Sequence, residues 1–403
     1  MRFPGFEGEW EIKILGDVMD FKITNSFSRE NLNYENGTVK NIHYGDIHTK
    51  FQTLFDLEKE NVPFINEDIS LSRISDEFYC KEGDIVFADA SEDLNDVGKS
   101  IEIVNLNGEK LLSGLHTLLA RPDQQYFHKG FNGFLFKSKN VRYQIQKESQ
   151  GSKVLSINVG RISSIKLSFP SKAEQEKITS LISLVEKRIY KSMKTIENLK
   201  LQKNIIVKKI FEEKADKNEG AIQKKLGAFL SIPPKIKPDY IDKEKLLTVK
   251  LHLKGVHKNE NSETLSIGST TYFIRKKGQF IYGKQNLFNG AFALIPDQYN
   301  GFLSSADVPS LEINNKIINA KYLLYLFSRK SFYKKLEDIS SGSGSKRIHE
   351  TTLLKIKILV PTLERQNKIV DILTSLDNKI NLENDLLTQY GLQKKYLLAN
   401  LFI

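Results

Sequence analysis

IKLSFPSKAEQEKI, residues 165–178, and IKILVPTLERQNKI, residues 356–369, are two copies of one pattern. Pro170 of the first copy corresponds to Pro361 of the second, an offset of 191 residues that holds without a gap almost to the end of the chain. The units of solenoids and propellers have only roughly 20 to 50 residues. The offset therefore predicts that a whole domain with its connector occurs twice, in a molecule with pseudo-twofold symmetry.

Each copy predicts a long helix that begins after its proline. Ser171 and Glu174 have the spacing of a capping box, and Thr362 is the expected cap of the second helix. Apolar residues then follow in alternating steps of three and four, which is the heptad pattern of a coiled coil. Each helix would have about 40 residues and a length of about 60 Å, and we expect the two to pack antiparallel. The seam residues that we expect to form partner-docking helices are Ile178, Leu181, Val185, Ile189, Ile369, Ile372, Leu376 and Ile380.

The segments between the repeats predict small domains of mixed helix and sheet. The chain would then be α/β (mixed α+β), with a globular domain at 1–169, a central helix at 170–215, a second globular domain at 216–360 and a C-terminal helix at 361–403. Asn107-Gly108 is a hairpin signal, residues 319–336 predict a helix, and the charged stretch 213–220 predicts a linker. Predicted strands lie at residues 83–88, 101–104, 133–136, 246–249, 272–274 and 279–282.

The composition favours a polyanionic partner. Among 403 residues, 60 Lys and Arg stand against 49 Asp and Glu, for a formal charge of +11. A solvated basic surface is the alternative. Cys80 is the single cysteine, so neither an internal disulfide nor a cysteine metal cluster is expected, and an intracellular, cytoplasmic protein is indicated. We expect no signal peptide, because residues 1–13 lack its apolar stretch, and no membrane span, because no run approaches the roughly 18 apolar residues that one needs.

Motifs for catalysis are incomplete. Residues 278–285, GQFIYGKQ, have P-loop spacing, but Gln285 occupies the position of the magnesium-binding hydroxyl. Residues 231–235, SIPPK, lack the amide and the aromatic residue of an amino-methyltransferase tetrad, and Glu312 lacks the lysine that a metal-dependent nuclease would place two residues later. The seven histidines have no metal-ligand spacing. We therefore expect no catalytic residue, no metal and no cofactor bound by this chain.

Recognition residues are predicted in polar loops. In the first domain these are a loop at 89–99 and a basic side chain beside apolar positions, with a solvated loop as the alternative; His116 is expected to be a core histidine. In the second domain they are the turn after residues 279–282 and the glycine-serine loop 340–347, with a linker as the alternative. The predicted DNA-binding residues from these segments are Ser91, Asn95, Lys99, Arg121, Lys284, Gln285, Asn286, Lys346 and Arg347.

These features resemble the specificity subunit of type I restriction-modification enzymes. The resemblance rests on RFPGF at residues 2–6 with Trp10, on Leu15-Gly16, and on the paired entries from proline to Gln-x-Lys-Ile at the 191-residue offset. It covers essentially the whole chain. Residues 276–310 also resemble one class of the family's target recognition domains, and they add Ser304 and Ser305 to the DNA-binding candidates.

The resemblance implies a non-catalytic subunit whose two target recognition domains each read one half of a split site in double-stranded DNA. It implies that the antiparallel helices set the gap and dock two methyltransferase subunits, which bind S-adenosylmethionine and methylate adenine at N6. Motor-nuclease subunits are a further partner that it allows. The helix entries depart from strict repetition, because Ala173-Glu174-Gln175 corresponds to Glu364-Arg365-Gln366.

Two rival hypotheses stay open on the sequence alone. One is a methyltransferase or nuclease enzyme in its own right, and the other is a noncatalytic coiled-coil scaffold whose globular domains bind proteins. Turnover by the isolated chain would favour the first. Loss of DNA binding after Lys284→Ala and Lys346→Ala would argue against the second.

Overall fold

The computed structural model describes residues 2–212, 220–260, 268, 270–342 and 345–402. It divides into two compact units, a first unit of Met1–Lys194 with Asn384–Ile403 and a second unit of Thr195–Glu383. We call the part of the first unit before its long helix the first head, and the part of the second unit between the long helices the second head. Of the predicted linker at 213–220, only Gly220 is among the described residues.

The first unit contains strands and helices around a five-stranded central sheet. Its strands are β1 (Glu11–Ile14), β2 (Met19–Lys22), β3 (Leu32–Asn33), β4 (Val39–Ile42), β5 (Leu54–Asp56), β6 (Phe64–Ile65), β7 (Ile85–Ala88), β8 (Ala90–Ser91), β9 (Ser100–Asn105), β10 (Lys110–Ser113), β11 (Thr117–Pro122), β12 (Leu155–Ser156) and β13 (Lys166–Phe169). Its helices are α1 (Leu15–Val18), α2 (Tyr44–Thr49), α3 (Phe131–Leu135), α4 (Lys139–Glu148), α5 (Val159–Ile162) and the beginning of α6 (Lys172–Phe211).

The central sheet of the first head has the strand order β2-β11-β7-β9-β5, and a second sheet has the order β10-β4-β6-β3. β7 lies between two antiparallel neighbours, β11 and β9, whereas β5 joins β9 in parallel. All four residues of β7 are buried, with Phe87 packed edge-on against Phe136. The apolar core therefore lies on both faces of β7.

The second unit also contains strands and helices, and its main sheet has four strands. Its strands are β14 (Ile222–Lys225), β15 (Leu230–Ser231), β16 (Leu247–Lys250), β17 (Gly255–Lys258), β18 (Tyr272–Ile274), β19 (Phe280–Tyr282), β20 (Phe292–Leu294), β21 (Leu303–Ser305), β22 (Ser310–Ile313) and β23 (Lys357–Val360). Its helices are α7 (Ala320–Ser328), α8 (Lys330–Tyr333), α9 (Glu350–Leu353) and most of α10 (Leu363–Asn400), whose end belongs to the first unit. The main sheet has the order β15-β22-β19-β20, and Phe280, Phe292 and Phe327 pack on one another in its core.

Both predicted long helices are confirmed, and so is the mixed α/β class. In the first unit Ile178 shares a core cluster with Phe402, and further along α6 Glu186 pairs with Lys394 at 2.6 Å. Residue numbers rise along α6 as they fall along α10, so the segments are antiparallel.

The helix segments of the second unit are antiparallel as well. Lys203 pairs with Asp377 at 2.5 Å, and Ile210, one to two turns further along α6, shares a core cluster with Ile369. The heptad pattern thus predicted the helices and their direction correctly.

The repeated glutamine ties each long helix to its head. Gln175 and Gln366 are fully buried. The Nε2 of Gln175 donates to the carbonyl of the proline five residues earlier and to that of Tyr126, both at 2.8 Å. Gln366 donates to its own proline carbonyl at 2.9 Å and to Ile317 at 3.1 Å. A buried amide with these partners explains why this residue occurs in both copies.

A strand pair and a glycine close each head in the same way. β1 pairs with β13, and β14 pairs with β23. After each first strand a glycine N–H donates to a carbonyl, Gly16 to Ser163 at 3.0 Å and Gly227 to Leu354 at 2.9 Å. A Cβ would lie 3.1 Å from the Ser163 Cβ at Gly16 and 3.3 Å from the Leu354 oxygen at Gly227, so a larger residue would crowd the contact at both positions.

The Glu174 carboxylate has a different role from the predicted capping box. It is fully buried, accepts a hydrogen bond from the Phe3 N–H at 3.2 Å and pairs with Arg2 at 2.9 Å. It therefore fastens the N-terminal segment to α6. Arg365 stands at the equivalent position of α10, and a cation cannot accept these bonds.

Three local predictions were wrong. Residues 133–136 belong largely to the buried helix α3, because a short apolar run has no period that separates strand from helix. Asn107 and Gly108 form a turn with φ of 51° and 72°, but β9 and β10 then join different sheets instead of pairing as a hairpin. The helix predicted at 319–336 is broken at Arg329, whose backbone is extended, and it continues as α8 and a 3-10 helix at Lys334–Ile339.

Candidate nucleic-acid interface

The predicted loop of the first head, residues 89–99, is held firmly. The Arg142 guanidinium donates to three of its carbonyls at 2.7–3.0 Å. Ser91 is half-buried in β8, Asn95 is exposed, and the Lys99 Nζ donates to the His48 carbonyl at 2.8 Å. Asn95 is thus the predicted contact in this loop that projects furthest into solvent, and Lys99 is partly engaged inside the head.

Arg121 lies within a hydrogen-bond network of the first head. Its guanidinium makes two bonds to the Asp84 carboxylate, at 2.9 and 2.8 Å, and donates to the carbonyls of Glu77 and Tyr79. One fifth of the side chain is exposed. The Asp84 carboxylate raises the pKa of Arg121. These donors hold β7, β11 and the preceding loop together, so the structure assigns Arg121 a role inside the head.

His116 is not the core histidine that the sequence predicted. Half of its side chain is exposed, and its φ is 55°, a left-handed conformation that is uncommon outside glycine. The Nδ1 lies 3.3 Å from the Asp89 carboxylate, whose pKa is raised by burial. The ring packs edge-on against Tyr44 at 5.4 Å between centroids. The glycine that signals this turn is residue 114, so no sequence pattern indicates a left-handed conformation at position 116.

The second head brings three predicted residues together. The Lys284 Nζ pairs with Glu350 at 3.1 Å, and both side chains are largely buried. Gln285 is exposed, and its amide oxygen, in the orientation that satisfies its neighbours, accepts from the Arg347 Nη2 at 2.9 Å. The Asn286 side chain accepts from Asn289 at 3.3 Å. Gln285 and Arg347 therefore form a polar surface from segments more than 60 residues apart in sequence, next to the largely buried Lys284–Glu350 pair.

Ser304 lies beneath the surface and not on it. It is fully buried, and its Oγ accepts from the Arg275 Nε at 2.6 Å and donates to the Val308 carbonyl at 2.5 Å. Ser305 is half-buried, and its carbonyl accepts from Arg275 at 3.2 Å. Burial lowers the pKa of Arg275 to about 10. No motif predicted this arginine; the signal that could have found it is its place as the first of three basic residues, 275–277, directly after the apolar run 272–274.

Lys346 is exposed, and its Nζ pairs with Glu337 at 2.7 Å. Residues 343 and 344 of the predicted loop at 340–347 lie outside the described residues. Across the part of the chain that the structure describes, no three His, Cys, Asp or Glu side chains are grouped to hold a metal ion. Within the same residues no helix is long and apolar enough to span a membrane.

The seam residues predicted to dock a partner mostly pack inside the chain. Ile178, Val185, Ile369 and Ile380 are buried, and Leu181, Ile189 and Leu376 are half-buried. Ile372 is the exception, with 49% of its surface exposed. A heptad seam is apolar because the two helices bury it against each other. The heptad pattern therefore does not indicate which surface stays exposed for a partner protein.

Exposed apolar side chains occur on other faces of the helices. Leu201 and Ile205 of α6 are 59% and 47% exposed, and Leu392 and Tyr396 of α10 are 57% and 55% exposed. Each residue of the second pair lies 191 positions after its counterpart, and the spacing of four places each pair on one helix face. We call them the first and the second apolar pair.

Known proteins resemble this chain over its whole length. The family model described as type I restriction modification DNA specificity domain matches residues 7–201 and again residues 234–389. The MjaX type I restriction enzyme specificity subunit of Methanocaldococcus jannaschii is 24% identical over 420 positions, which cover 97% of this chain and 92% of that protein. The MjaIX specificity subunit of the same organism is 34% identical over 87 residues, 21% of this chain and 19% of that protein.

Two solved structures share the fold. The S subunit of a type I restriction-modification system from M. genitalium superimposes with a TM-score of 0.62 at 15% identity, over 100% of this chain and 99% of that one. A chain from a study of complex assembly and conformational transition in the type I system superimposes with a TM-score of 0.54 at 13% identity, over 98% of both chains.

Proposed function

The chain belongs to the type I restriction-modification DNA specificity family, and we propose that it reads a two-part site in double-stranded DNA, one half with each head. Specificity subunits are non-catalytic, and the rival enzyme and scaffold hypotheses are not favoured. The observation that carries the proposal is that the family model matches twice, on two heads that share a frame and differ in their polar surfaces.

DNA binding of this kind needs two sorts of contact. Phosphate contacts fix the position of the protein, and base-edge contacts read the sequence. The net charge of +11 supports the first sort. The exposed Asn95 and Gln285 and the half-buried Arg347 support the second, together with the predicted contacts Ser91, Lys99, Lys284, Asn286, Ser305 and Lys346. Arg121 and Ser304 support the loops from inside.

We propose two methyltransferase subunits as partners, with S-adenosylmethionine bound by them and adenine N6 as the methylated atom. The two apolar pairs favour this stoichiometry, because two equivalent patches suit two copies of one partner. Motor-nuclease subunits would join the same assembly. A subunit that reads cellular DNA would act in the cytoplasm, and a free buried thiol at Cys80 is compatible with that compartment.

The test uses this chain assembled with its methyltransferase subunits. Adenine methylation mapped in cells that express both should give a split motif, and the assembled complex should bind that motif more tightly than a random duplex. We expect the logarithm of the binding constant to fall linearly with the logarithm of salt concentration, with a slope of about −0.9 for each phosphate contacted. Equal affinity for cognate and random duplexes at every salt concentration would contradict the proposal.

A further inference from the structure

The central strand of the first head ends in a defined corner. Asp89 directly follows β7. Its backbone N–H donates to the His116 carbonyl at 3.1 Å, and its backbone carbonyl accepts from the Ile157 N–H at 2.8 Å. One residue thus joins the end of the strand, the residue before β11 and the segment before α5.

The central strand of the second head ends in the same corner. Lys284 is the second residue after β19. Its backbone N–H donates to the Asp307 carbonyl at 2.9 Å, and its backbone carbonyl accepts from the Ile348 N–H at 3.0 Å. Ile157 and Ile348 are 191 residues apart, which is the offset of the sequence repeat. A glycine with positive φ also precedes each strand, Gly83 at 93° and Gly278 at 79°. The two corners are therefore equivalent parts of the duplicated frame.

The corner residue that follows the central strand is acidic in the first head and basic in the second. The first corner holds the Asp89 carboxylate and the His116 imidazole, 3.3 Å apart. The second corner holds the Lys284 ammonium, which pairs with the Glu350 carboxylate at 3.1 Å, and the Asp307 carboxylate, which lies 3.7 Å from the Arg347 guanidinium. An anion in one head is a cation in the other, while the hydrogen bonds of the backbone are kept.

Each corner combines side chains open to solvent with a more buried one, since Asp89 is 25% exposed and Lys284 12%. His116 is 52% exposed, Asp307 57% and Arg347 40%. The left-handed backbone of His116 costs free energy in a residue with a side chain, and such outliers persist where the surrounding structure imposes them and concentrate at functional sites. The Tyr44 ring and the Asp89 carboxylate hold the imidazole from two sides.

From these observations, and resting on the proposed function, we infer that the two corners are the sequence-reading sites of the two heads. In the major groove a carboxylate accepts from the amino group of cytosine or adenine, and a guanidinium donates to guanine. The second corner offers both through Asp307 and Arg347, and the first offers the Asp89 carboxylate with the His116 imidazole. Different chemistry on one backbone is what two heads need if they read different half-sites.

The test places the same side chain at both equivalent positions, with His116→Asn and Asp307→Asn in separate variants of the chain assembled with its methyltransferase. Asparagine tolerates the left-handed backbone at position 116. We expect each variant to relax one half of the methylated motif and leave the other half intact, with discrimination at the affected base pair reduced at least about fivefold. The two variants should affect different halves.

Matched controls lie at the opposite end of the same strands. Lys129, paired with Glu82 ahead of β7, and Lys277, ahead of β19 and paired with Asp297, are exposed cations. Lys129→Ala and Lys277→Ala should leave both half-motifs unchanged.

The possible results are distinguishable. A wild-type complex without a split motif would overturn the proposed function itself. If the wild type gives a split motif, two results would overturn the assignment of the corners and leave the proposed function intact. One is that both variants keep the whole motif, and the other is that either variant relaxes both halves of it. If a variant complex methylates nothing, its binding is measured in competition with duplexes altered in one half-site. Loss of discrimination against alterations in one half-site supports the assignment of the corners, and loss in both half-sites contradicts it.

Discussion

Glu102 shows how a single buried charge couples the first head to pH. It lies in β9, is fully buried, and its carboxylate accepts from the N–H groups of Gly130 and Gly133 at the start of α3. Burial raises the pKa of Glu102 to about 7, and the two N–H donors only partly offset that rise. The folded head therefore holds a proton on this residue that the unfolded chain releases at lower pH.

The consequence is a loss of stability as the pH rises. Because the folded pKa is above the unfolded value, the contribution of Glu102 is fully present below about pH 4.5 and is lost as the pH passes through about 7. Glu102→Gln removes this titration. We expect the wild type to lose up to about 3 kcal/mol relative to the variant between pH 4.5 and 8. Urea denaturation followed by fluorescence of Trp10, the single tryptophan, reports on the first unit. Parallel pH profiles would show that Glu102 does not titrate in this range.

Among the elements, the two long helices exchange partners across the repeat. Glu186 and Asp377 are equivalent, as are Lys203 and Lys394, each 191 residues apart. Lys394 pairs with Glu186 in the first unit, and Lys203 pairs with Asp377 in the second. Each acid therefore binds the lysine of the other copy, which only antiparallel helices allow.

These pairs also hold the heads. The Thr53 hydroxyl of the first head donates to Glu186 at 2.8 Å, and the Tyr325 hydroxyl of the second donates to Asp377 at 2.7 Å. We expect Lys394→Glu to destabilise the first unit by about 2 kcal/mol, since it opposes a carboxylate that is 14% exposed. The double variant Glu186→Lys with Lys394→Glu restores an ion pair and should recover part of this loss. The recovery is incomplete because Thr53 loses the carboxylate that accepts its hydrogen bond.

The measurement is a double-mutant cycle by urea denaturation with Trp10 fluorescence. A coupling free energy of at least about 1 kcal/mol is expected between positions 186 and 394. Lys395→Glu, on the exposed neighbour of Lys394, is the control and should change stability by less than about 0.5 kcal/mol. Additive effects at the two positions would mean that the ion pair contributes nothing.

The elements that the sequence predicts well are those with a long period. The heptads of α6 and α10 extend over more than nine turns, so their pattern outweighs local exceptions. α3 and the break at Arg329 depend on tertiary packing, and no local pattern reports it. The same limit applies to the interface: polar loops predicted Gln285 and Arg347 on the surface, but the roles of Arg275 and His116 depend on residues distant in sequence.

In the whole molecule, the duplicated frame and the divergent heads serve different requirements. Backbone bonds at the strand corners, the buried glutamines and the reciprocal ion pairs are the same in both copies, and so are the two apolar pairs on the helices. Residues that are alike in both copies suit partners that are alike. Residues that differ, such as Asp89 and Lys284, suit DNA half-sites that differ.

This distinction predicts which helix residues bind the methyltransferase. We expect Leu201→Asp with Ile205→Asp to remove one partner copy, and Leu392→Asp with Tyr396→Asp to remove the other, because a charge within a buried apolar contact weakens binding at least about tenfold. Native mass spectrometry of the assembled complex gives the stoichiometry: two partners for the wild type, one for each double variant and none for the quadruple variant.

The controls for this prediction are two exposed apolar side chains that the repeat does not share. Leu184 and Met193 of α6 are 51% and 55% exposed, but their equivalents are Ser375 and Asn384. An apolar side chain present in one copy alone cannot bind two identical partners in the same way. Leu184→Asp with Met193→Asp should therefore keep both partners bound. Loss of a partner in this control, together with an intact assembly in the quadruple variant, would show that exposure and not repetition marks the docking surface.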